Sequence, residues 1–406
     1  MAKKYYKMTK SKCDVIVIGA GVIGLTTAMA IKKIDPSLKV VIVDKESKVG
    51  IHASGRNSGV IHAGFYYSPD SLKARFCRDG NQSLRRLIQD SNLQIKVVGK
   101  VVVARDKEES TRLAQLYSRG LENGVDLELL EERELSNFEP LAKTCNSFLW
   151  SPNTSVANPN EVNNALLRIN MNLGVEIINN VRIKQVYEDR VIGSFGEIYF
   201  NHLVNAAGAG ALKIANEVGL GEKYEMMPFL GRYKYTTHSE LPIRTLVYPV
   251  PHEINPFLGV HLTLAVDGKV KIGPTAFPVF GGEQYSMQDL PKLFEVYSTL
   301  KGMKSLMHGK KHSLLKMAKG EIAKLNTNYL VREVSHLVPM SADVTKWESY
   351  PAGIRAQLVA KNDGSLVQDF VIEKSGKQTH ILNAVSPGWT SSIPFGEYIA
   401  KSVFKA

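Results

Sequence analysis

Residues 15–44 read VIVIGAGVIGLTTAMAIKKIDPSLKVVIVD, and three patterns follow one another within them. VIVI is β-branched and apolar, as a buried strand requires, and LTTAMAIKKI after Gly24 has helical spacing with lysines at its far end. VVIV is a second apolar strand, and it runs into Asp44. Between the first strand and the helix stands Gly19-Ala20-Gly21-Val22-Ile23-Gly24. In this spacing the first glycine makes a tight turn, the second lets backbone approach a pyrophosphate, and the third lets helix and strand pack closely. The helix N-terminus offers N–H groups and a positive dipole end to phosphates. Asp44 is placed to take ribose hydroxyls, and its charge would repel the extra phosphate of NADP. The order strand, turn, helix, strand, acid predicts a dinucleotide-binding unit. Between NAD and FAD the motif does not decide.

The same stretch carries no charge from Val15 to Ile31, about the length of a short membrane span. Three glycines interrupt it, so strand, turn and helix fit better. No other stretch comes close to spanning. The chain has 406 residues, too many for one small core, which suggests two domains or one large α/β domain with an insertion. Hydrophobic content of 44% and charged content of 22% are those of an ordinary globular protein. Cys13, Cys77 and Cys145 are odd in number and form no CxxC, so neither a disulfide framework nor a metal site is indicated, and a reducing compartment is expected. Net charge is +12 and the pI about 9.3. The lysines are dispersed, without the basic stripe and interleaved aromatics of a nucleic-acid binder, so no nucleic-acid partner is expected. The one dense cluster, MAKKYYKMTKSK at residues 1–12, reads as a disordered, solvated tail with no apolar run of a secretory signal.

After the nucleotide unit comes HASGRNSGVIHAGFYY, residues 52–67, with two histidines, an arginine, an asparagine, two serines and two tyrosines. Such a segment is costly to bury unless something uses its polar atoms. It reads as a loop lying against a cofactor's reactive ring. Residues 71–93 follow as an amphipathic helix, 95–104 as paired strands, 108–124 and 131–134 as helices, and 160–173 as a helix before short strands at 175–178 and 181–187. Alternating strands and helices predict a mostly parallel sheet. Val204 to Ala211, VNAAGAGA, is a buried strand running into small residues. From 229 to 274 short alternating strands suggest an antiparallel sheet covering a pocket. Residues 286–347 read as largely helical, and from Ile354 strands return before the turn SPGWTSS and a last helix. The fold class is therefore α/β, α+β overall, with a discontinuous nucleotide domain at 14–94, 140–224 and 348–406 and a mixed or antiparallel-sheet substrate domain at 95–139 and 225–347, after a tail at 1–13.

Four segments carry a more specific resemblance: HASGRNSGVIHAGFYYSPDSLKARFC, YPVPHEINPFLGVHLTLAVDGKVKIGPTAF, GIRAQLVAKNDGSLVQDFVIEK and LNAVSPGWTSSIPFGEYIA. They span nearly the whole chain. The sequence resembles the FAD-dependent oxidoreductases of the D-amino-acid-oxidase fold, and within them the L-2-hydroxyglutarate dehydrogenase or oxidase family. The resemblance implies a Rossmann-like FAD-binding domain and oxidation of a 2-hydroxy acid, with a hydride passing to flavin N5 while a base takes the hydroxyl proton. It implies that Gly19, Gly21, Gly24 and Asp44 hold the ADP half of FAD. Ser54, Arg56, Asn57 and Ser58 would follow the pyrophosphate and ribityl chain, Val181 would meet adenine, and Gly208 would pack beside the diphosphate. The turn with Ser386, Gly388, Thr390 and Ser391 would close around the flavin's pyrimidine edge.

A base titrating near neutrality points to histidine, His62 first and His261 second. A dicarboxylate needs cationic, forked partners, for which Arg355 is the first candidate, with Tyr66, Tyr248 and Lys73 behind it. The sequence departs from the family in two places. Leu230 stands where an arginine is usual, with Arg232 two positions on and thus on the same strand face, and Trp389 is bulkier than expected. An amine or amino-acid oxidase of the same fold is the alternative that the lost arginine hints at, and a non-catalytic or nucleic-acid-associated flavoprotein is supported by pI alone. The basic balance without a spanning segment suggests a cytoplasmic protein, with at most loose peripheral contact at the inner membrane to pass electrons to a quinone.

Overall fold

The computed structural model describes residues 9–251, 259–286, 288–309 and 320–404. The residues 15–44 unit forms as its pattern requires. Strand β1 spans Thr9–Ile18, helix α1 Val22–Ile34 and strand β2 Val40–Val43. All four residues of β2 are buried, because a parallel strand covered on both faces has no solvent side. β1 starts at Thr9, so residues 9–13, read from sequence as part of a disordered tail, are instead paired with Gly196–Phe200 in a parallel ladder. Residues 1–8 lie outside the described residues.

The first sheet has eight strands. β1 lies between β2 and the strand Gly196–Asn205, and β2 continues to Glu176–Ile178, all parallel. Gly196–Asn205 also takes the parallel strand Gln378–Asn383, which brings the C-terminal segment back beside the nucleotide unit. Antiparallel pairs join Ile183–Val186 to Arg190–Gly193, Arg190–Gly193 to Gly196–Asn205, and Val371–Ser375 to Gln378–Asn383, so the sheet is mixed. On one face α1 packs beside the last helix, Ser392–Val403, where Thr26 Oγ1 donates to the Ser392 carbonyl at 2.8 Å. Asn170, on the helix Pro159–Asn172, donates to the Leu25 carbonyl at 3.0 Å. These polar ties sit inside a continuous apolar cluster running from Val15 to Ala400.

The second sheet has nine strands. Its longest pairing, toward one end of the strand order, is antiparallel, Tyr224–Thr237 against Glu348–Ala360, with Phe229 opposite Arg355. The sequence divides the first of these into shorter pieces, because its polar and apolar residues break the alternation. Lys100–Val103 joins the same sheet beside Leu246–Pro249 and Ser147–Ser151. Ile95–Val97 does not pair with it, contrary to the expected hairpin over 95–104. That strand pairs with Ser155–Ala157 in a separate three-stranded sheet. The domain reading also needs adjusting, since Ser147–Ser151 and Glu348–Ala360 belong by hydrogen bonding to the nine-stranded sheet. Helix α2, Leu72–Asp90, is capped by Ser71, whose side chain accepts from the Ala74 N–H. Asp369 adds acceptors for the N–H groups of Leu72 and Lys73. Part of the stretch 286–347 read as helical, residues 310–319, lies outside the described residues, and Leu293–Gly309 and Thr327–Ser335 are helices.

Candidate active site

The glycine turn is built by contacts that admit little else. A Cβ on Gly24 would stand 1.9 Å from the Gly19 carbonyl oxygen, and Gly19 itself has φ +109°. Asp44, at the end of β2, accepts from the Ala20 N–H at 2.6 Å through Oδ2 and from the Glu46 N–H at 2.8 Å through Oδ1. Each carboxylate oxygen keeps lone pairs for a further donor. Ser54 Oγ accepts from the Val22 N–H at 2.9 Å, tying the 52–67 loop to the start of α1.

That loop is largely self-supporting. Arg56 donates to the carbonyls of Ile51 and Ala352 at 3.0 and 3.1 Å and lies over the Tyr285 ring, 4.0 Å from its centroid. Asn57 donates to the Ser54 carbonyl and accepts from the Gly59 N–H, both at 2.9 Å. The Ser58 carbonyl accepts from Lys271 Nζ at 3.0 Å. His52 is held by Glu46 at 2.9 Å and by the Tyr285 hydroxyl. Loop and strand come close because residue 353 has no side chain: a Cβ on Gly353 would stand 2.2 Å from the Arg56 carbonyl oxygen.

A cavity of about 960 Å³ runs from the glycine turn to the nine-stranded sheet. Gly19, Gly21, Asp44, Ser54, Arg56, Asn57, Ser58, Val181 and Gly208 line one stretch of it. Ser386, Gly388, Trp389 and Thr390 line another, and His62, Tyr233, Tyr248, His261 and Arg355 also face it. Several residues singled out from sequence do not line it. Gly24 is sealed in the turn, and Ser391 sits buried behind it at the start of the last helix. Tyr66 and Lys73 lie behind the wall, Lys73 near the rings of Tyr67 and Phe370. Trp389 is 8% exposed and belongs as much to the apolar cluster around α1 as to the cavity.

The shift from Leu230 to Arg232 does not restore a cavity charge. Leu230 and Arg232 share a strand face, as counting by twos requires, but that face is not the one that lines the cavity. Phe229, Gly231 and Tyr233 line the cavity, whereas Leu230 is buried with Val279 and Ile354. The arginine that reaches this part of the cavity wall is supplied by the paired strand, as Arg355. Burial lowers its pKa, with the hydroxyls of Tyr233 and Tyr67 acting the other way.

His62 is fixed through its main chain. Its N–H donates to Thr390 Oγ1 at 3.1 Å and its carbonyl accepts from Asn81 Nδ2 at 3.1 Å. Nδ1 of its ring has no hydrogen-bond partner among the described residues. Desolvation, followed by the basic groups Lys100, His261 and Arg355, holds the ring well below the usual histidine range. Burial takes His261 down to about 3 while its Nδ1 sits 2.8 Å from the Gly259 carbonyl. Neither ring therefore titrates near neutrality, which corrects the expectation drawn from the free side chain. Sequence reading missed Lys100 altogether. It is fully buried on the strand beside Tyr248, and only its place in an otherwise apolar run, GKVVVA, marked it.

The cavity suits FAD by its own features. Its length joins a glycine turn and an acid to a wall with a histidine and an arginine, and Trp389 on that wall has a buried Nε1 with no partner among the described residues. Comparison with known proteins agrees. The chain is 33% identical over 402 residues to L-2-hydroxyglutarate dehydrogenase of Escherichia coli strain K12, covering 96% of this chain and 93% of that one. It is 29% identical to the mitochondrial L-2-hydroxyglutarate dehydrogenase of Homo sapiens, covering 97% and 89%. Among solved structures, FAD-bound L-alpha-glycerophosphate oxidase from Mycoplasma pneumoniae superposes with a TM-score of 0.73 at 22% identity over 97% of this chain and 95% of that chain. Glycine oxidase from Geobacillus kaustophilus gives 0.72 at 17% identity over 97% and 95%, a likeness of fold alone. Residues 14–402 match the model of one family, and the chain belongs to it: the FAD dependent oxidoreductases.

Proposed function

We propose that this enzyme oxidises L-2-hydroxyglutarate to 2-oxoglutarate. The observation that carries the reading is the company His62 keeps: the groups beside it are Lys100, His261 and Arg355, all basic, with His261 and Arg355 at the wall of one cavity and Lys100 buried behind it. Arg355 on the wall and Lys100 behind it favour an anionic substrate, and the names of the relatives support L-2-hydroxyglutarate. Bound FAD supplies the two-electron acceptor for the C–H bond.

The chain's own residues have separate tasks in this reading. Arg355 forks onto the carboxylate beside the reacting carbon and so fixes its orientation. His62, neutral and without a ring partner at Nδ1, takes the hydroxyl proton. Asp44, Ser54, Val181 and Gly208 hold the nucleotide half of FAD, and Ser386, Gly388 and Thr390 the far end. Electrons then leave to a quinone or another acceptor. Among the described residues no helix is long and apolar enough to cross a membrane, so contact with a membrane quinone would be peripheral.

Anaerobic mixing with a panel of 2-hydroxy acids and amino acids tests the proposal. L-2-hydroxyglutarate should bleach the flavin absorbance fastest. Faster bleaching by an amino acid would replace this reading with an amino-acid oxidase.

A further inference from the structure

Lys100 is 0% exposed, and its Nζ has no hydrogen-bond partner among the described residues. It stands opposite Leu246 in the sheet, while Val247 stands opposite Leu262. Lys100, Tyr248 and His261 therefore emerge on one face of three adjacent strands, with Tyr248 in the middle. The Lys100 ammonium is 4.4 Å from the Tyr248 ring centroid, 5.0 Å from that of Tyr66 and 5.2 Å from that of Phe65. On its other side the Tyr248 ring stacks on His261, with centroids 3.8 Å apart. The hydroxyls of Tyr66 and Tyr248 also lack a partner of good geometry among the described residues.

Contacts between a cation and ring faces recover only part of what the burial of an ammonium costs. A methionine would fill this space without that cost. Among the described residues the titratable groups around Lys100 bring no fixed anion: His62 and Tyr66 from the loop, Tyr248 and His261 from the strands, and Cys77 from α2, whose thiol is pushed up to about 12 by burial. Burial draws Lys100 down to about 7. The site is one positive charge short of an anion.

We propose that Lys100 is the buried counter-charge for the second carboxylate of a dicarboxylate 2-hydroxy acid, acting from behind the Tyr248 ring as a specificity residue without touching the substrate. This rests on the cavity being a 2-hydroxy-acid site. A dianion entering in front of Tyr248 raises the proton affinity of Lys100, so its binding takes up a proton.

The test uses the flavin-loaded enzyme with Lys100→Met and Lys100→Arg. With Lys100→Met, KM for L-2-hydroxyglutarate should rise about 10- to 100-fold, the weight of a lost charged partner. KM for the monocarboxylate L-2-hydroxybutyrate should stay within about 3-fold, and Lys100→Arg should recover part of the dicarboxylate preference. Calorimetry of 2-oxoglutarate binding at about pH 8, in buffers of different ionisation enthalpy, should show uptake approaching one proton in the wild type and none in Lys100→Met. Equal losses on both acids with unchanged proton uptake would overturn the proposal and leave Lys100 as a packing residue. If Lys100→Met does not fold, wild-type calorimetry decides alone, and absence of proton uptake overturns it. A wild type whose flavin is not reduced by L-2-hydroxyglutarate would instead sink the proposed function, while uptake on binding dicarboxylates but not monocarboxylates would still support Lys100.

Discussion

Tyr248 and His261 lie ring on ring across two adjacent strands, their centroids 3.8 Å apart and their planes at 18°. Stacking of this kind fixes the tilt of His261, and the ring's Nδ1 is spent on the Gly259 carbonyl. Nδ1 of His62 has no such tie among the described residues. In the proposed function His261 therefore serves as a wall and His62 as the group that exchanges a proton.

Replacing His62 by asparagine should slow anaerobic flavin reduction by roughly 100-fold or more, the usual weight of a general base. Flavin content should be kept, because His62 meets Thr390 through its main-chain N–H. An unchanged single-turnover rate would make His62 structural and turn attention to His261.

The pH dependence of the wild-type rate follows from the direction of the His62 shift. Its pKa is lowered, so the proton-accepting neutral ring persists below the ordinary histidine range. Flavin reduction should show no His62 limb near neutrality and should fall only well below pH 6.5, the unperturbed value. Stopped-flow reduction across the acid range checks this, and an acid limb centred at or above 6.5 would contradict it.

Stability should respond to acid through the same physics. Burial holds His202 and His380 at about 4 and His261 at about 3. Once unfolded each takes a proton near 6.5, so the folded state is favoured above that pH and loses this contribution as pH falls toward 4. Tm by calorimetry should decline steadily from neutrality into that window.

At the glycine turn, Gly24→Ala should cost about 3 kcal/mol or abolish flavin binding, because its Cβ meets a backbone carbonyl with no room to yield. Gly210→Ala is the control, since its nearest neighbour would be the Ala207 Cβ at 3.8 Å. Flavin absorbance per protein and thermal melting of the two variants should separate them clearly.

Arg355→Met should raise KM for the 2-hydroxy acid by roughly 100-fold, as loss of a forked charge-assisted contact does. Arg355→Lys should recover only part of this, because an ammonium cannot reproduce the planar fork. An unchanged KM in both would remove Arg355 from substrate binding.

The dinucleotide unit could be read directly from residues 15–44 because its determinants are local: β-branched runs, a glycine spacing and an acid at the end of a strand. Their geometry needs only neighbours in the chain, and it appears as expected at Gly19, Gly24 and Asp44. The cavity wall is different. Phe229 and Arg355 are neighbours through strand pairing over more than a hundred residues, and the alternation that sets Leu230 and Arg232 on one face does not say which face of the strand meets the cavity. Lys100 looked like the polar end of a strand, and only the register that sets it beside Tyr248 buried its charge. The free-residue pKa of histidine was likewise a poor guide to His62, since desolvation and neighbouring cations are properties of packing. Sequence alone determined the nucleotide-binding topology and the small residues it requires. Tertiary structure decided which charges share the cavity, because a charge's effect depends on distance and burial, and neither is written in the order of the residues.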